Sequence, residues 1–150
     1  MKVFEDATGI RGQVNYTVRD SDGSVVLEFE RRNLVTNVGK ALVAGLLIGT
    51  GSAASNVAIG TGTTDFAATS TQLNNEYARG TATTSTTQTT VANDTAALIM
   101  AFSFTETKAI VESGVLNAAV AGSLVCAQTF SAINVVSGDS CTLTWKISFS

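Results

Sequence analysis

The last ten residues alternate without a break: Cys141, Leu143, Trp145, Ile147 and Phe149 are apolar, and Thr142, Thr144, Lys146, Ser148 and Ser150 are polar. A period of two is what a pleated strand imposes on its side chains, so this stretch reads as one strand with a dry and a wet face. The only Trp stands in the middle of the dry row, where burial contributes roughly 1.5 to 3 kcal/mol in transfer terms. The strand should therefore cross a core and find its partners far upstream.

The same period marks Gln13 to Arg19, with Val14, Tyr16 and Val18 on one side, and Val25 to Arg31, with Val25, Leu27 and Phe29 on one side. Both predict half-buried strands. Between them Asp20-Ser21-Asp22-Gly23 supplies residues that tolerate positive φ or bond to their own backbone, as a tight hairpin turn requires. A calcium loop would need further ligands at loop spacing and a closing Glu, and these are missing. Residues 1–12 carry no period and read as an N-terminal arm ahead of a single domain over 13–150.

From Thr36 the period changes. Val38, Ala41, Leu42, Gly45 and Leu46 fall on one helical face, Thr36 or Asn37 can cap it, and Gly49 and Gly51 stop it. One short helix over 37–48 is predicted, packed under or between sheets because Lys40 is its single charge. Asn56 to Ile59 is a short strand, Asp65 to Gln72 a loop, and Leu73 to Arg79 leads into the next strand. The threonine-rich run from Gly80 to Thr95 predicts an exposed strand with a turn at Asn93-Asp94, since β-branched residues favour extended backbone. Ala96 to Thr105 places Leu98, Met100, Phe102 and Phe104 on one face. Lys108 to Glu112 is a short strand broken by Ser113-Gly114, and Ser123 to Ser131 is another. Short strands separated by turn signals, with one helix, predict a mainly β protein: an antiparallel β-sandwich of jelly-roll or Greek-key type.

A chain of 150 residues suits one domain and buries roughly 70% of its unfolded surface. Charged residues are only 14% and the net charge is −3, so the nine scattered Lys and Arg offer no cluster for neutralising phosphates, and nucleic acid is not expected as a partner. Proline is absent, so sheet edges need another form of protection, such as burial against neighbouring subunits. The start, MKVFEDATGI, has no secretion-signal run, and Ala41 to Ile48 is too short to span a bilayer, which implies synthesis in the cytoplasm and no membrane role. Cys126 and Cys141 fall in strand-like stretches and read as small buried hydrophobes, not as a bridge.

Histidine is absent, which removes the usual general base near neutral pH and the commonest metal ligand. Glu28 and Glu30 lie on the wet side of one strand, while Asp65, Glu76, Glu106 and Glu112 are spread among loops and strand ends and read as solvated. Gly60-Thr61-Gly62 follows a strand but lacks the Gly-Lys-Ser/Thr of a phosphate loop. No catalytic, cofactor or metal site is expected. Glu76 and Arg79 are three apart and read as a local pair or as a docking contact.

Three stretches resemble a group of small virion proteins of tailed bacteriophages: NLVTNVGKALVAGLL (Asn33 to Leu47), NVAIGTGTT followed by QLNNEYAR (Asn56 to Arg79), and IVESGVLNAAVAGSLVCAQTF followed by SGDSCTLTWKISFS (Ile110 to Ser150). Together they cover about two thirds of the chain, with Val115-Leu116 where the pattern more often has Leu-Phe. The resemblance implies a structural protein of the virion with no catalytic residues to carry over. Small size and the absence of a fibre repeat favour a capsid decoration or cement protein. Such a protein would form a homo-oligomer, expected to be a trimer, on the major capsid protein lattice. The alternatives are a neck, tail, baseplate or fibre-attachment component and, from another class, a carbohydrate-binding module presenting Tyr77. The irregular segments that a rigid sheet could present to partners nominate Phe4, Thr61, Thr63, Asp65, Phe66, Glu76, Tyr77 and Arg79 as contact residues.

Overall fold

The computed structural model describes residues 9–149. In chain order the elements are β1 (Ile10–Arg19), β2 (Val25–Val35), α1 (Asn37–Leu47), β3 (Asn56–Gly60), β4 (Glu76–Thr81), β5 (Thr83–Thr87), β6 (Thr95–Ser103), β7 (Lys108–Leu116), β8 (Leu124–Val135) and β9 (Ser140–Phe149). The strands form one sheet in the order β4-β3-β7-β8-β2-β1-β9-β6-β5, antiparallel at every pair. Its two ends, β4 and β5, are separated in the chain by Ala82 alone, whose N–H donates to the Ser55 carbonyl at 2.8 Å. The first and last strands of the order are thus one extended segment bent at a single residue, and the sheet is nearly closed. On the other side the two halves meet only where Leu34 and Val35 of β2 pair with Ala127 and Cys126 of β8.

The alternation of the C-terminal residues reappears as burial: Cys141, Leu143, Trp145 and Ile147 are buried, and β9 lies between β1 and β6. Facing them across the core are Ile110 and Val115 of β7 with Val125 and Ile133 of β8. Trp145 Nε1–H donates to Ser113 Oγ at 3.3 Å, a bond from β9 to β7 that ties the two halves together through the interior. Tyr16 of β1 lies 4.6 Å from the ring of Phe29 and 4.4 Å from that of Phe130 on β8. Its hydroxyl is buried with no hydrogen-bond partner among the described residues, and burial holds its pKa well above the ordinary tyrosine value.

Thr36 caps α1, its Oγ1 accepting the Gly39 N–H at 2.9 Å. A Cβ built on Gly39 would stand 2.7 Å from the Val125 carbonyl carbon, so only glycine lets the helix settle backbone to backbone on β8. Gly39 is the only buried residue of the helix, which therefore lies on the sheet rather than between sheets. The hairpin turn forms as expected, with Gly23 N–H donating to the Asp20 carbonyl at 3.0 Å and Gly23 at φ 89°. At the second expected turn Asn93 adopts φ 63°, and the Asp94 carboxylate accepts from the backbone N–H groups of Val91, Thr89 and Thr90, which holds its pKa below the usual carboxylate range.

Several expectations change. β1 begins at Ile10, inside the segment read as an arm; Phe4 and the rest of that arm, residues 1–8, lie outside the described residues. Ser113-Gly114 does not break a strand: both residues are buried within β7, where Gly114 pairs with Ala58 and Ser113 with Ile59. Val25 and Leu27 are exposed, not half-buried: β8 pairs with β2 only at Leu34 and Val35, and of the expected inner row Phe29 alone is half-buried, against Tyr16 and the Phe130 ring of β8. Phe149 ends the dry row of β9 but is 49% exposed at the margin of the core.

Both cysteines are free and buried, and burial pushes the Cys141 thiol up to about 12 and the Cys126 thiol higher. At pH 8 neither is expected to react with a thiol reagent in the folded protein except at the rate of unfolding; modification of either within minutes in native buffer would contradict that burial. Tyr16→Phe removes a hydroxyl that burial leaves without a partner and is expected to raise stability in urea titrations by about 1 kcal/mol. A comparable loss would mean that the hydroxyl is bonded after all.

Candidate functional site

The chain between β3 and β4, residues 61–75, is the longest irregular connection among the described residues, and one side chain holds it. Glu112 on β7 is 0% exposed. Its Oε1 accepts from Gly62 N–H at 3.1 Å and Asn75 N–H at 2.7 Å, and its Oε2 accepts from Asn74 N–H and Asn74 Nδ2, each at 3.0 Å. One carboxylate thus gathers the beginning and the end of the loop. The neck is pinched further by Thr61 N–H donating to the Asn75 carbonyl at 2.9 Å and by Asn75 Nδ2 donating to Thr61 Oγ1 at 2.8 Å. A compact loop with its ends drawn together is an Ω-loop.

Strict alternation would place Ile110 and Glu112 on one face of β7. The register shift between them lets Ile110 join the main core while Glu112 turns to the outer face, opposite Gly60. Glycine is needed on this face. A Cβ on Gly60 would stand 2.5 Å from the Asn75 carbonyl oxygen, and one on Gly62 would stand 2.8 Å from Glu112 Oε1. Beneath the loop lies a second, small apolar cluster of Ala58, Leu73, Leu116, Leu124 and Ala127, with Phe66 packed at its side. A buried carboxylate without a cation beside it is costly, and here four N–H donors replace the water it has lost.

Thr61 therefore sits in the neck of the loop. Asp65 Oδ1 accepts from Thr129 Oγ1 at 2.6 Å and ties the loop to β8. Phe66 is half-buried against the small cluster, and Thr63 is exposed. Of the two readings of Glu76 and Arg79, the local pair is the one formed: Arg79 Nε donates to Glu76 Oε1 at 2.9 Å and NH2 to Oε2 at 2.6 Å. Arg79 NH1 donates in addition to the carbonyls of Ala118 and Ala121, so this guanidinium closes the β7–β8 connection onto β4. Tyr77 stacks near Phe104, donates to Glu106 Oε1 at 3.2 Å and carries Lys108 Nζ 5.2 Å above its ring. Burial, and next to it the Glu106 carboxylate, raises the Tyr77 pKa.

Thr61, Asp65, Phe66, Glu76 and Arg79 are thus brought together around one loop and its neck, with Tyr77 apart from them. The residue at the centre, Glu112, reads from the sequence as solvated, and Gly62, Asn74 and Asn75 read only as parts of irregular segments open to partners, not as its hydrogen-bond donors. The visible signal was a lone carboxylate inside the apolar run from Ile110 to Leu116. The cluster also joins two stretches that are distant in sequence: Gly62, Asn74 and Asn75 come from one, and Glu112 from the other.

These bonds commit the polar groups to one another. The lone pairs of Glu112 are taken by N–H donors, and Glu76 is held by Arg79. Large apolar side chains face outward elsewhere. Leu47 is 84% and Ile48 78% exposed at the end of α1, beside an apolar hollow of about 360 Å³ lined by Leu42, Leu46, Ala54, Leu98, Ile147 and Phe149. Among the described residues no group of His, Cys, Asp and Glu could hold a metal ion, and no helix is long and apolar enough to cross a membrane. No protein-family model, curated protein or solved structure matches the chain.

Glu112→Gln sets an NH2 group against donors that need an acceptor. It is expected to cost about 2 to 4 kcal/mol in urea denaturation and to speed hydrogen exchange at Asn74 and Asn75. Stability within about 0.5 kcal/mol of the parent and unchanged exchange would show that the carboxylate does not hold the loop.

Proposed function

We propose that this protein is a non-enzymatic building block of a tailed-phage virion, a capsid decoration or cement protein that sits on the major capsid lattice. The observation that carries the reading is the division of labour among its groups: carboxylates and guanidinium close loops, while Leu47, Ile48 and the apolar hollow beside them face outward. A surface of this kind works by adhesion. Weak contact by each copy becomes strong binding when a homo-oligomer engages several lattice sites at once. The resemblance of three stretches to small phage virion proteins points the same way. Two of them meet at Glu112, which gives that pattern a structural meaning in this chain: a carboxylate and the loop it closes.

Within this reading we take the nearly closed sheet to be flattened into a sandwich of jelly-roll or Greek-key type. The bond from Trp145 to Ser113 spans such an interior, and the junction of β2 with β8 is only two residues long. The second reading, a neck, tail or baseplate component, rests on the same phage-like pattern, which tail and fibre proteins share.

Copy number separates them. In purified particles of the phage that encodes this chain, quantitative mass spectrometry is expected to find on the order of hundreds of copies, and labelled antibody should decorate the head. Tens of copies confined to the tail would favour the second reading, and absence from the particle would end both.

A further inference from the structure

Among the described residues, β2 is bonded along its length to β1 but to β8 only at Leu34 and Val35. Its other edge, from Val25 to Asn33, is paired with no strand, although the Phe130 ring of β8 packs against Phe29. A row of unpaired N–H and C=O groups is a template for pairing with another chain, and a bulge, a proline or a covering loop usually blocks it. The turn-side bulge between Val18 and Arg19 lies in the ladder with β1, no proline is present, and Val25, Val26 and Leu27 are all exposed on this edge.

The order of charges along the edge selects an occupant. Glu28 and Glu30 come first, Arg31 and Arg32 after. A parallel neighbour of the same sequence would set like charge against like, whereas an antiparallel one turns the acidic half toward the basic half. An antiparallel register about Glu30, drawn from residues 27–33 of the free edge, places Glu28 opposite Arg32 twice and Phe29 opposite Arg31 twice, against a single meeting of Glu30 with its own copy on the axis. Arg31 already lies 5.2 Å from the ring of its own Phe29, so the guanidinium and the ring occupy the same face. A two-fold contact of this kind is isologous, each copy giving and receiving the same pairs.

We propose that the β2 edge binds the β2 edge of a second copy, antiparallel about a two-fold axis at Glu30, so that the two sheets continue into one another. The proposal does not rest on the virion reading. It also explains why a strand with apolar residues on both faces is stable at the surface: its partner is another molecule of the same chain.

The test uses the full chain and two charge reversals on exposed residues, Glu28→Arg and Arg32→Glu. The parent is expected to sediment as a two-fold assembly, and each variant alone should dissociate at least about tenfold more readily, since each turns both opposite-charge pairs into like-charge pairs. Mixing the two variants restores both pairs. Native mass spectrometry should therefore show the mixed assembly forming at the parent's concentration and neither self-assembly. A parent that stays monomeric, variants that associate as the parent does, or a mixture that fails to assemble would each overturn the proposal; circular dichroism of each variant confirms that it is folded.

Discussion

The buried carboxylate of Glu112 is the constraint on which the outer half of the structure depends. It stands on a central strand, is sealed from solvent, and satisfies four N–H donors drawn from residues that are up to 50 positions away in sequence. Without an acceptor there, Gly62, Asn74 and Asn75 would each lose a partner for a backbone N–H, and the loop over Leu116 and Leu124 would be closed only by the bonds between Thr61 and Asn75 and between Asp65 and Thr129. The loop in turn reaches α1, since Asn37 N–H donates to the Ala68 carbonyl at 2.8 Å. A single side chain thus propagates through the loop to the helix.

The sheet itself is organised differently, by apolar burial from two sides. β9 carries Trp145 into the middle of the core, and β7 and β8 supply the facing residues. Closure comes from the bend at Ala82, which turns the last strand of one half into the first of the other, and from the short meeting of β2 with β8. Because most partners are distant in sequence, the fold depends on contacts that form together, the high-contact-order situation typical of β proteins. Near closure leaves few free edges, and the longest lies on β2 where β8 turns away.

Charged groups follow the same economy. Several of the few there are stand where a backbone or a loop needs them: Asp94 under one turn, Arg79 over the β7–β8 connection, Asp65 on Thr129. Much of what remains at the surface is hydroxyl, backbone edge and apolar side chain.

The sequence by itself determined the elements whose evidence is local. A period of two runs unbroken through β9 and β1, a change of period and a Thr cap mark α1, and Asp-Ser-Asp-Gly specifies its turn wherever it occurs. Only the tertiary structure decided what depends on distant neighbours. Alternation along Val25 to Phe29 could not show that β8 would cover Phe29 with Phe130 and leave Val25 and Leu27 exposed. Ser113-Gly114 reads as a breaker until Trp145 arrives to take the serine hydroxyl as its acceptor. Glu112 looks solvated because one register shift, a property of the pairing between strands, turns it away from the core and under a loop. A strand's period is fixed by its own backbone, whereas the medium around each side chain is set by whichever segment folds over it.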